Sequence, residues 1–433
     1  MLHGRYGRVL SIVLAGGKGE RLMPLTRYRA KPAVPFAAKY RIIDFALSNL
    51  VNSGMHSIYC LTQFKSQSLQ EHITQGWQFG PALRGRNYFV SLAPAQMWTG
   101  ERWYEGTADA IYQNLHLLTM FNADYVCIFA ADHIYKMDIE QMLQYHVDNN
   151  ADITVAAKRV PASEASQFGC ISANAEGVID DFIEKPSDPP HIKNSPGYSY
   201  VSMGNYIFSR EILEEAILTD NQNKESSHDF GKDILPEIHN QCKVMAYDFS
   251  TNVILGDDRP YWKDVGTLKA YWEAHMDLLQ HPSSLTLYNP LWPVRTVSFS
   301  DPPGFTYPSK GKTCSVEGCL RAEASQVLGA VVHRCVLSRN CVINPGSVVE
   351  ESIIGQGVVI GENCKLRRVI VDSHNVIPPN TVIGYNADDD AEKYHLDKES
   401  GVVVVQMPKI QLRKNLQMPG DPRYDDQTPF STF

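Results

Sequence analysis

Counting from Ala330, an apolar residue returns at every sixth position: Ala330, Val336, Val342, Val348, Ile354, Ile360 and Leu366. After a slip of four residues the ladder resumes at Ile370, Val376 and Val382. An α-helix repeats its buried face about every 3.6 residues and an ordinary strand about every 2, so neither fits this spacing. A parallel β-helix does, because short strands alternate with tight turns and each coil stacks its inward residue on the next. Gly329, Asn344, Gly346, Gly355, Gly357, Gly361 and Asn363 fall between the rungs, where turns are needed. Val331, Val349, Val359 and Val371 lie off the rungs. Some of them are expected to face outward and to pack on another domain or a second copy of the chain.

The chain before about residue 275 has another rhythm. Apolar runs at 8–14, 57–62, 125–130, 153–158, 178–184, 204–208 and 244–248 read as strands, and 108–121 and 139–149 read as amphipathic helices. This alternation predicts an α/β, Rossmann-like domain with a largely parallel sheet, whose ligands gather at the carboxyl ends of the strands. The expected division is a catalytic domain at 1–280, a Pro- and Ser-rich linker at 281–312, and the β-helix with a C-terminal tail at 313–433. A net charge of −8 argues against nucleic acid as a partner. No apolar run is long enough for a membrane span, and the N-terminal one is broken by Gly16 and Gly17, so a first strand is expected there and not a signal peptide. The nine cysteines are scattered with no CxxC pair, which suits free thiols in a reducing, cytoplasmic setting.

The first strand runs into Gly16-Gly17-Lys18-Gly19, followed by Arg21, Arg27, Arg29 and Lys31. The dinucleotide fingerprint GxGxxG fails, because Leu22 stands at the third glycine position, and the Walker pattern is absent. Asp229-Phe230-Gly231 has no accompanying kinase signatures and is read as chance. What remains is a glycine turn whose backbone N–H groups can cradle an anion, with Arg21 and Lys31 within reach.

The segment LAGGKGERLMPLTRYRAKPAVPF resembles the N-terminal motif of sugar-nucleotide pyrophosphorylases. RIIDFALSNLVNSG, WYEGTADAI, IEKPSDPP, SMGNYIF, SSHDFGKDILP and YWKDVGT narrow the resemblance to the bacterial glucose-1-phosphate adenylyltransferase family. It covers nearly the whole chain and implies that the C-terminal domain is a left-handed β-helix. It also implies transfer of AMP from ATP to glucose 1-phosphate with Mg²⁺ as cofactor, in glycogen synthesis.

The same resemblance implies roles for individual residues. Arg21, Lys31 and Asp132 would be catalytic, with Asp132 and Asp264 holding the metal. Leu14, Ala15 and Gly16 would flank the adenine by their backbones, with the Gln63 amide reading its edge and Gly106 allowing close approach to base or ribose. Tyr104, Gly169, Glu184, Lys185 and Ser202 would form the glucose 1-phosphate pocket. Gln63 and Trp103 would connect the site to an effector site, and the assembly would be a homotetramer responding to small-molecule effectors. Ala131 precedes the first metal aspartate where the family commonly has glycine. Arg29, Arg41, Lys409, Arg413 and Lys414 are the cations considered for the effector. Another sugar-1-phosphate enzyme, such as a mannose-1-phosphate guanylyltransferase, and a non-catalytic regulatory subunit are the alternatives. Retention of Arg21, Lys31, Asp132, Lys185 and Asp264 weighs against the second.

Overall fold

In the computed structural model, residues 6–80, 87–96, 98–193 and 195–408 are described. The run VLSIVL forms β1 (Val9–Leu14), buried almost throughout because helices cover both faces of its sheet. Along the chain follow β2 (Ser57–Thr62), β3 (Phe89–Pro94), β4 (Tyr125–Ala130), β5 (Ile153–Pro161), β6 (Gly169–Ala173), β7 (Ile179–Glu184), β8 (Tyr198–Ser209) and β9 (Val244–Asp248). These nine strands make one sheet, ordered β7-β6-β8-β4-β1-β2-β3, with β5 also on β8 and β9 beyond β5. The pairs around β1 are parallel. Those made by β8 with β4, β5 and β6, and by β7 with β6, are antiparallel.

The sheet is therefore mixed, where the sequence pattern suggested largely parallel. A parallel return needs a crossover of about a dozen residues or more, usually a helix. Between β5 and β6 the chain offers only the short helix Ala162–Ala165. The helix expected over 108–121 is also two helices, Thr107–Tyr112 and Leu115–Phe121. The break falls at Asn114, whose side-chain amide donates to the Ala110 carbonyl and to the Tyr104 hydroxyl.

The C-terminal domain is a left-handed β-helix of three sheets, parallel from coil to coil, with one antiparallel strand, His395–Leu396, closing the third. Val342 and Ile343 pair with Val359 and Ile360 one coil later, and Val348 and Val349 pair with Lys365 and Leu366. The interior is a stack of Ile343, Ile360 and Ile377 on one face, Val349, Leu366 and Ile383 on the second, and Leu337, Ile354 and Val371 on the third. This corrects the ladder. Val342 and Val348 are half-buried and Val376 and Val382 exposed, and in each case the next residue is the inward one. Where both residues of a two-residue strand are apolar, periodicity cannot choose between them. Val349 and Val371, two of the residues considered for the outside, are core, whereas Val331 is exposed and Val359 half-buried.

Val336 and Ile370 are buried for another reason. They face out of the third sheet with Leu320, Ile353 and Val404, and pack on Leu25, Val34, Phe36, Tyr271 and Trp272 of the catalytic domain. Trp272 Nε1 donates to the Glu351 carbonyl (2.8 Å). Arg29 and Asp372 form an ion pair across the same seam (2.9 Å), with both side chains buried. The 281–312 segment is bound to both domains. Thr296 Oγ1 donates to Asp44 (2.7 Å), which lies in the helix Ile42–Asn52, while Phe305–Tyr307 pairs with Gln326–Leu328 as a strand of the β-helix.

Candidate active site

A cleft of about 820 Å³ opens at the carboxyl ends of β1 and β4, where Leu14 and Ala130 form part of its floor. Gly16 to Arg21 form one rim. Gly19 has φ of 64°, and a Cβ there would lie 2.8 Å from the Lys31 Cβ, so glycine alone lets the turn close over Lys31. At Gly17 a Cβ would meet nothing within 4 Å, leaving that backbone open to a ligand.

Two distant segments supply the carboxylates. Asp132 lies two residues past the end of β4, and the chain then forms a short ribbon in which His133–Tyr135 pairs antiparallel with Trp262–Asp264. Asp264 stands opposite His133 in that register, which brings it beside Asp132. The buried Lys31 ammonium lies 3.0 Å from Asp132 and 3.1 Å from Asp264. Arg21 reaches within 3.9 Å of Asp264 from the exposed side. Burial opposes the charge on Lys31, but the two carboxylates outweigh it and its pKa lies above the usual lysine value. Burial likewise opposes ionisation of Asp132, yet His133 and Lys31 hold it well below the usual carboxylate range.

Ligand atoms of Asp132, His133 and Asp264 all lie within 4.8 Å of one another. The site already accommodates a cation, the Lys31 ammonium, between two carboxylates. Oxygen donors of this kind suit Mg²⁺, which commonly takes one or two carboxylates and completes its shell with substrate phosphates. The residues present fit that ion.

The opposite wall gathers Gly169, Glu184, Lys185, Ser202, Tyr206 and Gly231. Glu184 pairs with Gly169 in the sheet, and a Cβ on Gly169 would come within 2.8 Å of the Glu184 carboxylate. Lys185, at φ of 49°, projects from the strand end, largely exposed and ion-paired to Glu184. Tyr104 and Gly106 close the cleft from a third side.

Four of the expected residues are placed as follows. Ala15 is fully buried and is not part of the cleft wall, and its amide is bonded to the Leu61 carbonyl. Gln63 lines the cleft, and its amide also holds Tyr104, accepting from its N–H (2.5 Å) and donating to its C=O (3.1 Å). Gly106 is small for a structural reason, since a Cβ would lie 2.1 Å from the His228 carbonyl oxygen. Trp103 is 58% exposed and lies outside the cleft wall.

The structure also places residues that sequence reasoning passed over. His133 stands within 3.4 Å of Asp132 and could have been found as the neighbour of a candidate ligand. Asp229, Phe230 and Gly231, dismissed as a chance kinase motif, line the cleft. Asp229 accepts from Thr107 Oγ1 and caps the following helical turn through the Gly231 and Lys232 amides. Arg29 and Arg41, considered for an effector, are turned inward. Arg29 holds Asp372, and Arg41 donates to the Ser68 carbonyl. Lys409, Arg413 and Lys414 lie outside the described residues. Among those described, no helix is long and apolar enough to cross a membrane.

Residues 10–281 match the family model described as nucleotidyl transferase, and residues 301–405 match that described as GlmU-like, C-terminal hexapeptide. The chain is 48% identical over 406 residues to a glucose-1-phosphate adenylyltransferase of Deinococcus radiodurans, covering 92% of this chain and 98% of that protein. It is 46% identical over 405 residues to the protein of the same name from Photobacterium profundum, covering 93% and 99%. A glucose-1-phosphate adenylyltransferase 1 of Vibrio parahaemolyticus is 48% identical over 399 residues, covering 92% and 97%.

Proposed function

Since this chain belongs to the glucose-1-phosphate adenylyltransferase family, making ADP-glucose and pyrophosphate from ATP and α-D-glucose 1-phosphate, we propose that the Lys31–Asp132–Asp264 cluster is where the transfer takes place. The observation that carries this reading is the meeting of two carboxylates and a buried lysine under a glycine turn. A phosphate oxygen of the sugar attacks the α-phosphorus of ATP, and both reactants are anions. The work of the site is therefore positioning and charge neutralisation.

Arg21 grips the outer phosphates of ATP, its fork matching two oxygens at once. Asp132 and Asp264 would hold Mg²⁺, which when bound would offset charge on the phosphate oxygens. Lys31, exchanging a carboxylate for phosphate, neutralises the α-phosphate as charge builds there. Lys185 takes the phosphate of the sugar, while Glu184 accepts from its hydroxyls and Gly169, Ser202 and Tyr104 shape its pocket. Leu14 and Gly16 border the adenine. Gln63 offers its remaining amide sites to the adenine and, by fixing Tyr104 beside Trp103, connects the cleft to the exposed loop where effector signals would enter. The enzyme works in the cytoplasm as a homotetramer under small-molecule control, supplying glycogen synthesis. Exposed Val331, Val376 and Val382 on the β-helix support an assembly role for that domain.

Initial rates of pyrophosphate release test the assignment. ATP with glucose 1-phosphate is expected to exceed GTP with mannose 1-phosphate in kcat/KM by a wide margin. Equal or better turnover of the guanylyl pair would overturn it.

A further inference from the structure

Cys319 and Cys335 occupy the same corner of the β-helix on successive coils. Their neighbours Leu320 and Val336 are paired in parallel register. The Leu320 amide donates to the Cys335 carbonyl (3.0 Å), and the Cys335 amide donates to Cys319 Sγ (3.4 Å). Adjacent strands lie about 4.8 Å apart. That separation falls within the Cα span of about 4.4–6.8 Å that a disulfide bridges. The thiols also point alike. Cys319 Sγ is directed at the carbonyls of Glu317 (3.2 Å) and Val332 (3.7 Å), and Cys335 Sγ at the equivalent carbonyls of His333 (3.2 Å) and Val349 (3.3 Å). Neither cysteine is bridged.

The two are not equivalent in access. Leu320–Arg321 is the terminal strand of its sheet, so Cys319 sits at an uncovered end and is half-buried, whereas Cys335 is fully buried. The hydrogen bond from Cys335 is the main influence that brings the Cys319 thiol down to about 7 against the effect of burial, with backbone amides and Arg321 assisting. Burial pushes Cys335 up, and the neighbouring Cys319 charge pushes it further.

We propose that Cys319 and Cys335 are a redox modification site, closing to an intrachain disulfide by exchange with a low-molecular-weight disulfide. The Cys319 thiolate attacks one sulfur of the oxidant RSSR, forming a mixed disulfide and expelling RS⁻. Cys335 then gives its proton to solvent, and its sulfur attacks Cys319 Sγ and expels the second RS⁻. Two protein thiols are oxidised by two electrons and one disulfide is reduced to two thiols. Capping Cys319 removes its charge, which lifts one of the influences holding Cys335 protonated. The new bond would staple two coils at the docking face, since Leu320 and Val336 both pack in the seam with the catalytic domain. Glu323, on the same coil, pairs with Lys39 across that seam (2.7 Å).

The test treats the reduced full-length chain with oxidised glutathione and reads intact mass, then maps peptides without reduction. The expected product has lost two hydrogens, retains no glutathione, links the Cys319 and Cys335 peptides, and melts at a higher temperature than the reduced chain. Cys335→Ser should trap glutathione on Cys319, and Cys319→Ser should give neither adduct nor cross-link. Should Cys335→Ser fail to fold, Cys335→Ala replaces it with an apolar side chain suited to the core. Unchanged mass, a stable adduct on the unsubstituted chain, or a cross-link through other cysteines would overturn the proposal.

Discussion

Lys31 Nζ lies 3.0 Å from Asp132 Oδ2, buried at the base of the cleft and held there as an internal counter-ion. The same ammonium touches Asp264, so it lies between the carboxylates proposed to receive a divalent cation. Lysine and metal are therefore expected to compete until nucleotide phosphates arrive to draw the ammonium away. Lys31→Met should raise Mn²⁺ affinity in the absence of nucleotide by about tenfold or more, given the cost of placing like charges at such range. It should at the same time lower kcat. Calorimetric Mn²⁺ titration measures the first effect, and affinity equal to that of the unsubstituted chain would show that Lys31 does not guard the site.

Lys185 stands apart from this cluster, on the wall shared with Glu184 and Gly169. Lys185→Ala should raise KM for glucose 1-phosphate by ~10-fold or more, as expected for loss of a charged hydrogen bond. KM for ATP should change much less. If ATP affinity were the main casualty, the sugar and nucleotide sides of the cleft would have to be exchanged.

The Arg29–Asp372 pair joins the N-terminal motif to the β-helix, with side-chain exposures of only 7% and 5%. Removing one partner of a buried pair strands the other, at a cost of about 3–5 kcal/mol. Asp372→Asn should therefore lower the urea midpoint clearly. Replacing both residues by apolar ones of similar size should cost less than either single change. A single substitution without effect on the midpoint would mean that the seam does not depend on this contact.

His275 lies in the same seam, where its Nε2 accepts from the Ala37 amide and Nδ1–H donates to the Tyr271 carbonyl. Burial lowers its pKa from 6.5 to about 4. The unfolded chain therefore binds a proton at higher pH than the folded one. The stability contributed by neutral His275 is complete above about pH 6.5 and declines as pH falls, with the loss finished below about pH 4. The linked loss is on the order of 3 kcal/mol. Buried His146, also lowered to about 4, acts in the same direction. Melting temperature against pH should fall across this window, and His275→Gln should flatten the fall. An identical slope in that variant would show that His275 does not contribute to the fall.

What the sequence made legible was the local geometry and the repeats. A run such as VLSIVL followed by glycines has few folds open to it, and a six-residue apolar period has fewer. The sense of the β5–β8 strands was hidden, because it depends on short connections and not on side-chain pattern. The inward choice between Val342 and Ile343 was hidden too, since both are apolar and the register is set by turn backbone. Asp264 could be paired with Asp132 only through motif resemblance, because the ribbon that unites them spans more than a hundred residues of chain. The engagement of Gln63 by Tyr104 is a tertiary fact that no local pattern carries.

Adenylyl transfer is proposed to depend on the carboxylate pair facing Lys31. Asp132→Asn preserves size and removes the charge, so kcat at saturating ATP and glucose 1-phosphate isolates that dependence. The expected result is a loss of ~10²-fold or more with the melting transition retained. A correctly folded Asp132→Asn enzyme whose kcat stays within a few-fold of the unsubstituted chain would contradict it.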